Sequence, residues 1–370
     1  MRIKLKGGAI LLVWLALFLS VNTKAQLPVK NLYFRHITKE QGLSNGLIKD
    51  ILKDKDGFLW IATLNGLNCY DGSHFKVWKT NTDNESSLLY NFIHAICEDD
   101  TSNIWCATDA GISRFSKKTN TFRNYRLINS QTGKEELHTI NSIIISRTGK
   151  LITQSYNGIY IYNKEKDKFT HYPYEPVVTY NKYMVVSKNS FIEDPDYNGI
   201  WMGTNKGLHY FDLEKLSYTD KPPHKNYSLP GHDHYISAVA FDNQKQLLYT
   251  DETTEELYTH NFKTGNTDSS NFAKLNGNHG TISGIFVDDL NNKWLSNFGY
   301  TPLFQDGITG KFYSFNHESS NPNSLASGFF WEVFQDLDGT LYFGTIDGIS
   351  YTNFHRQDFT IIKLPDTLNH

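Results

Sequence analysis

The chain has 370 residues, of which 39% are hydrophobic, 20% charged and 14% aromatic, and its formal charge is −3. This apolar content excludes a disordered chain, because burying it offsets the entropy lost when the backbone is ordered. The mildly acidic charge disfavours a nucleic-acid partner, since such binding depends on neutralising phosphates. Three cysteines are too few for a disulfide scaffold.

Residues 1–25 have the pattern of a secretory signal peptide. Arg2, Lys4 and Lys6 precede the apolar run Ala9–Leu19, and small residues lead up to a cleavage site that we place after Ala25. An uncleaved anchor is the alternative, although the run is shorter than the ~20 residues of a spanning helix. No later segment has membrane-spanning length, so we expect a periplasmic mature chain.

A repeat follows, and its clearest copies contain the turns that begin at Asp54, Asp99, Asp196 and Asp336. In each copy a large residue on the second strand serves as an anchor, and the anchors are spaced 45–49 residues apart. The seven anchors are Trp60, Trp105, Ile152, Trp201, Leu248, Trp294 and Tyr342. An even period of this length predicts a repeat architecture.

Each copy is predicted to form four strands. An Asp-x-Asp-Gly type of turn joins the first two strands, a Thr ends the second, and a Gly begins the third. The pattern predicts an all-β, seven-bladed β-propeller with four-stranded antiparallel blades. A β-solenoid is the alternative, but its coils are shorter and contain fewer Trp. We expect the anchors to fill the wedges between neighbouring blades.

The propeller is predicted to span residues 31–363, followed by a tail at 364–370. The blades are expected near 43–79, 87–126, 137–173, 185–220, 235–269, 281–316 and 324–363. Two outer-strand candidates compete for the last blade, Leu32–Ile37 and Phe359–Lys363. We predict that the N-terminal strand closes the ring, because closure removes both sheet edges. The surplus C-terminal segment would then begin a second ring.

The first copy closely resembles the two-component regulator propeller repeat. The matching residues are Gly42-Leu-Ser-Asn45, Asp54-x-Asp-Gly57-x-Leu-Trp60-Ile-Ala-Thr63-x-x-Gly66-Leu-Asn-x-Tyr70-Asp71-Gly72 and Phe75. The resemblance covers about residues 31–363 and is weaker in the third, fifth and sixth blades. It implies the N-terminal periplasmic sensor part of a hybrid two-component system histidine kinase, a class whose sensors recognise breakdown products of polysaccharides.

The same resemblance implies partners: a second propeller, a β-sandwich domain or a kinase-bearing subunit. The sequence contains no kinase segment, so we expect a truncated gene product or a lone propeller that cannot signal by itself. No Gly-x-Ser-x-Gly or His-Glu-x-x-His motif is present, and we predict no catalytic residue, no metal site and no cofactor. Cys97 and Cys106 lie on adjoining predicted strands. They are expected to be either buried reduced thiols or a disulfide.

Ligands of propellers commonly bind where first strands enter the central channel and second-to-third strand turns converge, an analogy with the fold. The aligned channel positions are Lys49, His94, Asn141, Asn189, Ser237, Ser283 and Trp331. The aligned turn positions are Asn65, Asp109, Asn157, Lys206, Asp251, Phe298, Tyr300 and Asp347. Such amides, charges and aromatic faces suit an oligosaccharide, and Lys49 and His94 would also suit an acidic sugar.

The predicted ligand-binding residues are Lys49, His94, Asn141, Asn189, Trp331, Asn65, Asp109 and Tyr300. Polar residues also line any solvated channel, which is the simplest alternative interpretation. Two other functions stay open: a scaffold for protein–protein interaction, and a polysaccharide lyase or hydrolase.

Overall fold

Seven four-stranded sheets follow one another along the chain, and every strand pairing within them is antiparallel. The computed structural model describes residues 32–136, 139–155, 157–174, 188–227, 234–272, 281–297, 302–314 and 317–353. The predicted all-β, seven-bladed β-propeller is confirmed. The signal peptide, Phe298, Tyr300, Phe359–Lys363 and the tail at 364–370 lie outside the described residues.

The strands are numbered along the chain. The first blade consists of β2 (Ile48–Lys53), β3 (Leu59–Thr63), β4 (Gly66–Tyr70) and β5 (Phe75–Trp78), and the second of β6 (Ile93–Glu98), β7 (Asn103–Thr108), β8 (Gly111–Ser116) and β9 (Thr121–Tyr125). The third consists of β12 (Ser142–Ile145), β13 (Leu151–Ser155), β14 (Gly158–Asn163) and β15 (Lys168–Pro173), and the fourth of β16 (Phe191–Glu193), β17 (Gly199–Thr204), β18 (Gly207–Asp212) and β19 (Ser217–Thr219).

The fifth blade consists of β20 (Ile236–Phe241), β21 (Leu247–Asp251), β22 (Glu256–His260) and β23 (Thr267–Asn271), and the sixth of β24 (Ile282–Val287), β25 (Lys293–Asn297), β26 (Leu303–Gln305) and β27 (Phe312–Ser314). The seventh consists of β28 (Phe330–Gln335), β29 (Thr340–Thr345), β30 (Ile349–Asn353) and β1 (Arg35–Ile37). A ribbon of β10 (Leu127–Ile128) and β11 (Glu135–Glu136) follows the second blade, and the 3-10 helices are Lys39–Gln41 and Lys188–Ser190.

The large second-strand side chains lie between neighbouring sheets. Trp60 packs with second-blade residues, its ring 5.6 Å from that of Phe115, and Trp105 packs with third-blade residues. Trp201 packs against the fifth blade in the same way. Tyr342 is half-buried but faces the first blade in the equivalent position. These large second-strand side chains therefore fill the wedges between neighbouring blades, as predicted.

A threonine ends the second strand and holds the turn that follows it. Thr63 Oγ1 accepts a hydrogen bond from Asn65 N at 3.0 Å and donates one to Gly66 O at 3.0 Å. Gly66 has φ 115°, and a Cβ there would lie 2.4 Å from Trp78 O. Only glycine suits this close approach. The same threonine-to-glycine bond occurs at Thr108, Thr204 and Thr345.

The N-terminal strand β1 is the outer strand of the last blade. It pairs with β30 in the register Arg35↔Tyr351 and Ile37↔Ile349. Ile37 is buried at the junction of the last and first blades, and Thr352 Oγ1 donates to Tyr33 O at 2.9 Å. The predicted closure is therefore confirmed, and the N-terminal strand supplies the fourth, outer strand of the last blade.

The face of the ring that carries the first-hairpin turns is tied together by polar contacts between blades. The seven neighbouring pairs are joined by Lys55–Glu98, Asp100–Lys164, Arg147–Glu193, Asp196–Lys245, Asn243–Asp288, Asp289–Gln335 and Asp336–Lys53. Every blade takes part in this belt. Of the side chains predicted to bind ligand, those within the described residues lie at the opposite ends of the same strands.

Two further sequence questions are answered by the fold. Cys97 packs toward the third blade and Cys106 toward the first, so the two thiols lie on opposite faces of one sheet and cannot form a disulfide. None of the helices in the described part of the chain has the length and apolarity needed to cross a membrane.

Candidate functional site

In five blades the residue predicted to face the channel is the extra residue of a β-bulge. The register passes from Ile48↔Thr63 to Asp50↔Ala62 and leaves Lys49 between them. The same shift occurs at His94, Ser237, Ser283 and Trp331. A bulge bends its strand and re-aims the extra side chain. These five aligned positions therefore share one backbone geometry.

Lys49 and Trp331 belong to adjacent blades and meet at this end of the ring. The Lys49 Nζ lies 4.1 Å from the centre of the Trp331 ring, a cation–π contact. Within the described residues, Nζ has no hydrogen-bond or ion-pair partner. Burial lowers the pKa of Lys49 to about 8, although the charges of Glu332, Asp109 and Asp50 oppose that shift.

His94 and Asp109 form a hydrogen-bonded pair beside this cation. The His94 Nε2 to Asp109 Oδ1 distance is 2.7 Å, and Thr139 Oγ1 donates to the same oxygen at 3.0 Å. The His94 ring stacks on Phe92 with their centres 4.2 Å apart. Burial lowers the pKa of His94, against the opposing effect of Asp109, while the positive charge of Lys49 lowers it further.

The protonation of this pair follows from these shifts. Burial raises the pKa of the Asp109 carboxyl, but the hydrogen bonds from His94 and Thr139 and the nearby positive charges together outweigh that effect, and the pKa is lowered. At neutral pH the pair is therefore a carboxylate and a neutral imidazole. An imidazole that donates from Nε2 keeps Nδ1 as an acceptor. The pair can bind ligand hydroxyls through an imidazole nitrogen and carboxylate oxygens.

On the opposite side of the channel, the aligned side chains contact other groups of the protein. The 3-10 helix Lys188–Ser190, which carries Asn189, contacts β12, β20 and β24. A Cβ on Gly284 would lie 2.3 Å from Asn189 Nδ2, so the amide lies directly against that backbone. Ser237 and Ser283 bond the hydroxyls of Thr250 and Ser296, each at 2.8 Å. The channel positions here bond to the protein itself.

The eight predicted residues therefore separate into groups. Lys49, Trp331, His94 and Asp109 come together, whereas Asn65 donates to Ser44 O at 3.4 Å within its own blade. Asn141 is half-buried and stands just before β12, two residues after Thr139, which donates to Asp109. Tyr300 lies outside the described residues. Roles for Asn65, Asn141, Asn189 and Tyr300 in binding stay predictions.

Sequence alignment missed two carboxyl groups at this end of the ring. Glu332 follows Trp331 on the bulge and is buried, and its charge acts on Lys49. Glu252 accepts hydrogen bonds from Ser237 Oγ and from Ile282 N of the next blade. Burial raises the pKa of Glu252 to about 7. The surroundings of the two groups depend on a bulge and on a neighbouring blade, and no linear motif marks either group.

The described ranges contain no group of three or more His, Cys, Asp or Glu side chains arranged to hold a metal ion. At the first-hairpin turn, which shares its opening residues with a calcium loop, Asp54 Oδ1 accepts from Asp56 N and Phe58 N, and Lys117 Nζ lies 2.6 Å from Asp54 Oδ2. The carboxylate therefore serves the turn and a lysine.

Comparison with known proteins gives one matching family model, one curated relative and several solved structures of similar fold. The sequence model for the two-component regulator propeller matches residues 42–65, which run from the loop before β2 into the turn after β3. A stretch of 71 residues is 39% identical to Histidine kinase P4 of Formosa agariphila. That match covers 19% of this chain and 5% of the relative, so this chain spans a small part of that protein's length.

Solved structures share the fold at low identity. The extracellular domain of a protein described as a hybrid two component system of B. thetaiotaomicron is 24% identical, with a TM-score of 0.66, over 87% of this chain and 42% of that one. A second such domain of the same organism, described as part of a one component system, is 19% identical with a TM-score of 0.66, over 86% and 40%.

Virginiamycin B lyase of Staphylococcus aureus also matches, at 13% identity and a TM-score of 0.63, over 87% of this chain and 99% of the lyase. Identities this low show the fold and no more. The resemblance predicted from the sequence is confirmed: this chain is a seven-bladed β-propeller that carries the two-component regulator propeller repeat and is similar to the extracellular domains of two-component systems.

Proposed function

We propose that this propeller is the ligand-binding part of an extracytoplasmic sensor of a two-component system. It binds an oligosaccharide where Lys49, Trp331, His94 and Asp109 converge. The observation that supports the site is this convergence: side chains of the last, first and second blades meet at bulges on one end of the ring. The family repeat and the curated histidine kinase relative support the sensor class.

The chemistry of these side chains suits a sugar. Sugar hydroxyls both donate and accept hydrogen bonds, and the site offers a cation, a carboxylate and an imidazole acceptor. Aromatic rings at Trp331 and Phe92 supply apolar surface beside these groups. This mixture of a few convergent polar groups with aromatic surface is typical of small-ligand sites.

The site also offers a way to transmit binding. Lys49 belongs to the first blade and Trp331 to the last, so a ligand that contacts both adds its binding free energy to their packing. Tighter packing there would change the surface presented to a second propeller, a β-sandwich domain or a kinase-bearing subunit. In this proposal the mature protein is periplasmic and binds its ligand without chemical conversion.

Calorimetric titration of the purified protein with a panel of oligosaccharides tests the proposal. We expect binding heat with at least one sugar, and loss of that heat in Trp331→Ala and in His94→Ala with little change in melting temperature. Tyr90→Ala is the matched control, because Tyr90 is an exposed aromatic residue just before β6. Unchanged affinity in both site variants would move the site elsewhere, and no heat with any sugar would favour a scaffold.

A lyase or hydrolase has one observation in its favour, the His94–Asp109 pair, because a neutral imidazole oriented by a carboxylate can accept a proton. Chromatography of the same sugars after prolonged incubation distinguishes binding from turnover. Shorter or unsaturated products that disappear in His94→Ala would establish the enzyme.

A further inference from the structure

We propose that the oligosaccharide is anionic and that Lys49 binds its carboxylate or sulfate group, with Trp331 holding the ammonium in place. This inference rests on the proposed function and names the class of ligand at the same site.

Among the described residues, the Lys49 ammonium has no hydrogen-bond or ion-pair partner. A cation withdrawn from water is costly unless it is paired or fully hydrogen-bonded. Lys117 shows the usual solution in this protein: its Nζ lies 2.6 Å from Asp54 Oδ2 and 2.7 Å from Glu98 Oε1. Lys49 has three donors and, within the described residues, contacts only the face of Trp331. An anionic ligand group would complete its coordination.

The position of Lys49 on the ring also favours an anionic ligand. Lys49 and Trp331 occupy equivalent bulges of adjacent blades, and bulges re-aim side chains. The ring face stabilises the ammonium electrostatically and offers no lone pair to accept its hydrogen bonds. Trp331 therefore fixes the charge while leaving its donors available, and it acts as a positioning residue for Lys49.

In the part of the chain that the structure describes, no carboxyl group forms an ion pair with Lys49. Glu332 on β28, Asp109 after β7 and Asp50 on β2 influence it through space. Asp109 already accepts from His94 and Thr139. Asp50 accepts from Ile51 N at 2.8 Å and Ile96 N at 2.7 Å. These two carboxylates are engaged elsewhere, so a ligand anion would not have to displace either from Lys49.

Matched pairs of sugars test the inference by calorimetry. One pair is oligogalacturonate and its carboxyl-reduced form, and the other is chondroitin sulfate oligosaccharide and its desulfated form. We expect an anionic sugar to bind about tenfold to a hundredfold more tightly than its modified partner, the range of one charged hydrogen bond. The pair that shows the difference identifies carboxylate or sulfate.

Variants assign the effect to Lys49. Lys49→Met should abolish the preference, Lys49→Arg should retain most of it, and Lys79→Met should leave it intact, because Lys79 is an exposed lysine outside the site. Trp331→Phe should retain more of the preference than Trp331→Leu, which a merely space-filling role would not predict. If Lys49→Arg still binds the anionic sugar, the lost preference of Lys49→Met reflects the lost charge and not a failure to fold.

The two hypotheses fail in different ways. Equal affinity for the anionic and modified sugars overturns the charge inference and leaves oligosaccharide binding standing. A preference that survives in Lys49→Met overturns the role of Lys49. No binding of any sugar, charged or neutral, overturns the proposed function together with this inference.

Discussion

The indole nitrogen of Trp60 donates a 2.6 Å hydrogen bond to the carboxylate of Asp54, which lies at the start of the preceding hairpin turn. The same bond joins Trp105 to Asp99, Trp201 to Asp194 and Trp294 to Asp288. A buried indole N–H needs an acceptor, and this carboxylate also accepts from the turn backbone. In each of these four blades, one aspartate therefore couples the first-hairpin turn to the tryptophan that packs between blades.

Asp54→Ala should strongly destabilise the protein. The substitution removes the acceptor of the Trp60 indole and of two backbone N–H groups, and it removes one of the carboxylates that pair with the Lys117 ammonium. We expect a loss of about 3–5 kcal/mol in the free energy of unfolding, the usual cost of removing one member of a buried charged pair. Urea denaturation measures it. Asp56→Ala, at an exposed site in the same turn, should cost less than about 1 kcal/mol; equal losses would refute the coupling.

Ring closure by β1 is tested at Ile37. This side chain is buried against the first blade, so Ile37→Ala should cost about 2–5 kcal/mol of unfolding free energy. Arg35 lies on the same strand but is exposed, and Arg35→Ala should change stability by less than about 0.5 kcal/mol. Denaturant titration of both variants gives the comparison. A neutral Ile37→Ala would mean that the strand does not close the ring in solution.

Glu252 should make stability depend on pH. Its pKa in the folded state is raised to about 7 by burial, above the value of an exposed carboxyl. Its favourable contribution is present below about pH 4.5 and is lost as the pH rises through about 7. Glu252→Gln keeps an acceptor without the charge, so stability should fall less between pH 5 and 8 in the variant than in the parent protein. Glu214→Gln, at an exposed turn, should follow the parent curve.

The close approach of Gly284 to Asn189 predicts an energetic coupling. Gly284→Ala places a Cβ against the amide and should destabilise the protein, because the 3-10 helix must move. Asn189→Ala in the same chain removes the clash, so the double variant should be more stable than the two single effects predict by about 0.5–3 kcal/mol. Thermal unfolding of all four proteins completes the cycle, and additive effects would contradict the close contact.

Binding of an anionic sugar should weaken at alkaline pH. The pKa of Lys49 is lowered to about 8 by burial, so its charge is present below that pH and lost above it. His94, whose pKa is lowered, is already neutral there. The affinity should fall by about twofold from pH 7 to 8 and by up to about tenfold for each pH unit beyond. Titrations from pH 7 to 10 test this, and Lys49→Met should give weak, pH-independent binding.

Part of the candidate site could be predicted from the repeat. Aligning the copies places Lys49, His94 and Trp331 at equivalent channel positions, because equivalent positions of a repeat meet around one axis. The alignment treats Asn189 in the same way, yet the fourth blade replaces the start of its first strand with a 3-10 helix. In that blade the aspartate that bonds the tryptophan is Asp194, where the repeat pattern indicated Asp196.

The sequence by itself determined the number of blades, their strand order, the anchors and the closing strand, because these follow from short-range patterns of hydrophobicity and turn residues repeated seven times. Only the tertiary structure decided which polar side chains share a site. Lys49 and Trp331 are far apart in the chain, and their contact depends on ring closure and on two bulges. The direction of a bulged side chain is a property of strand register between neighbours, and no single strand encodes it.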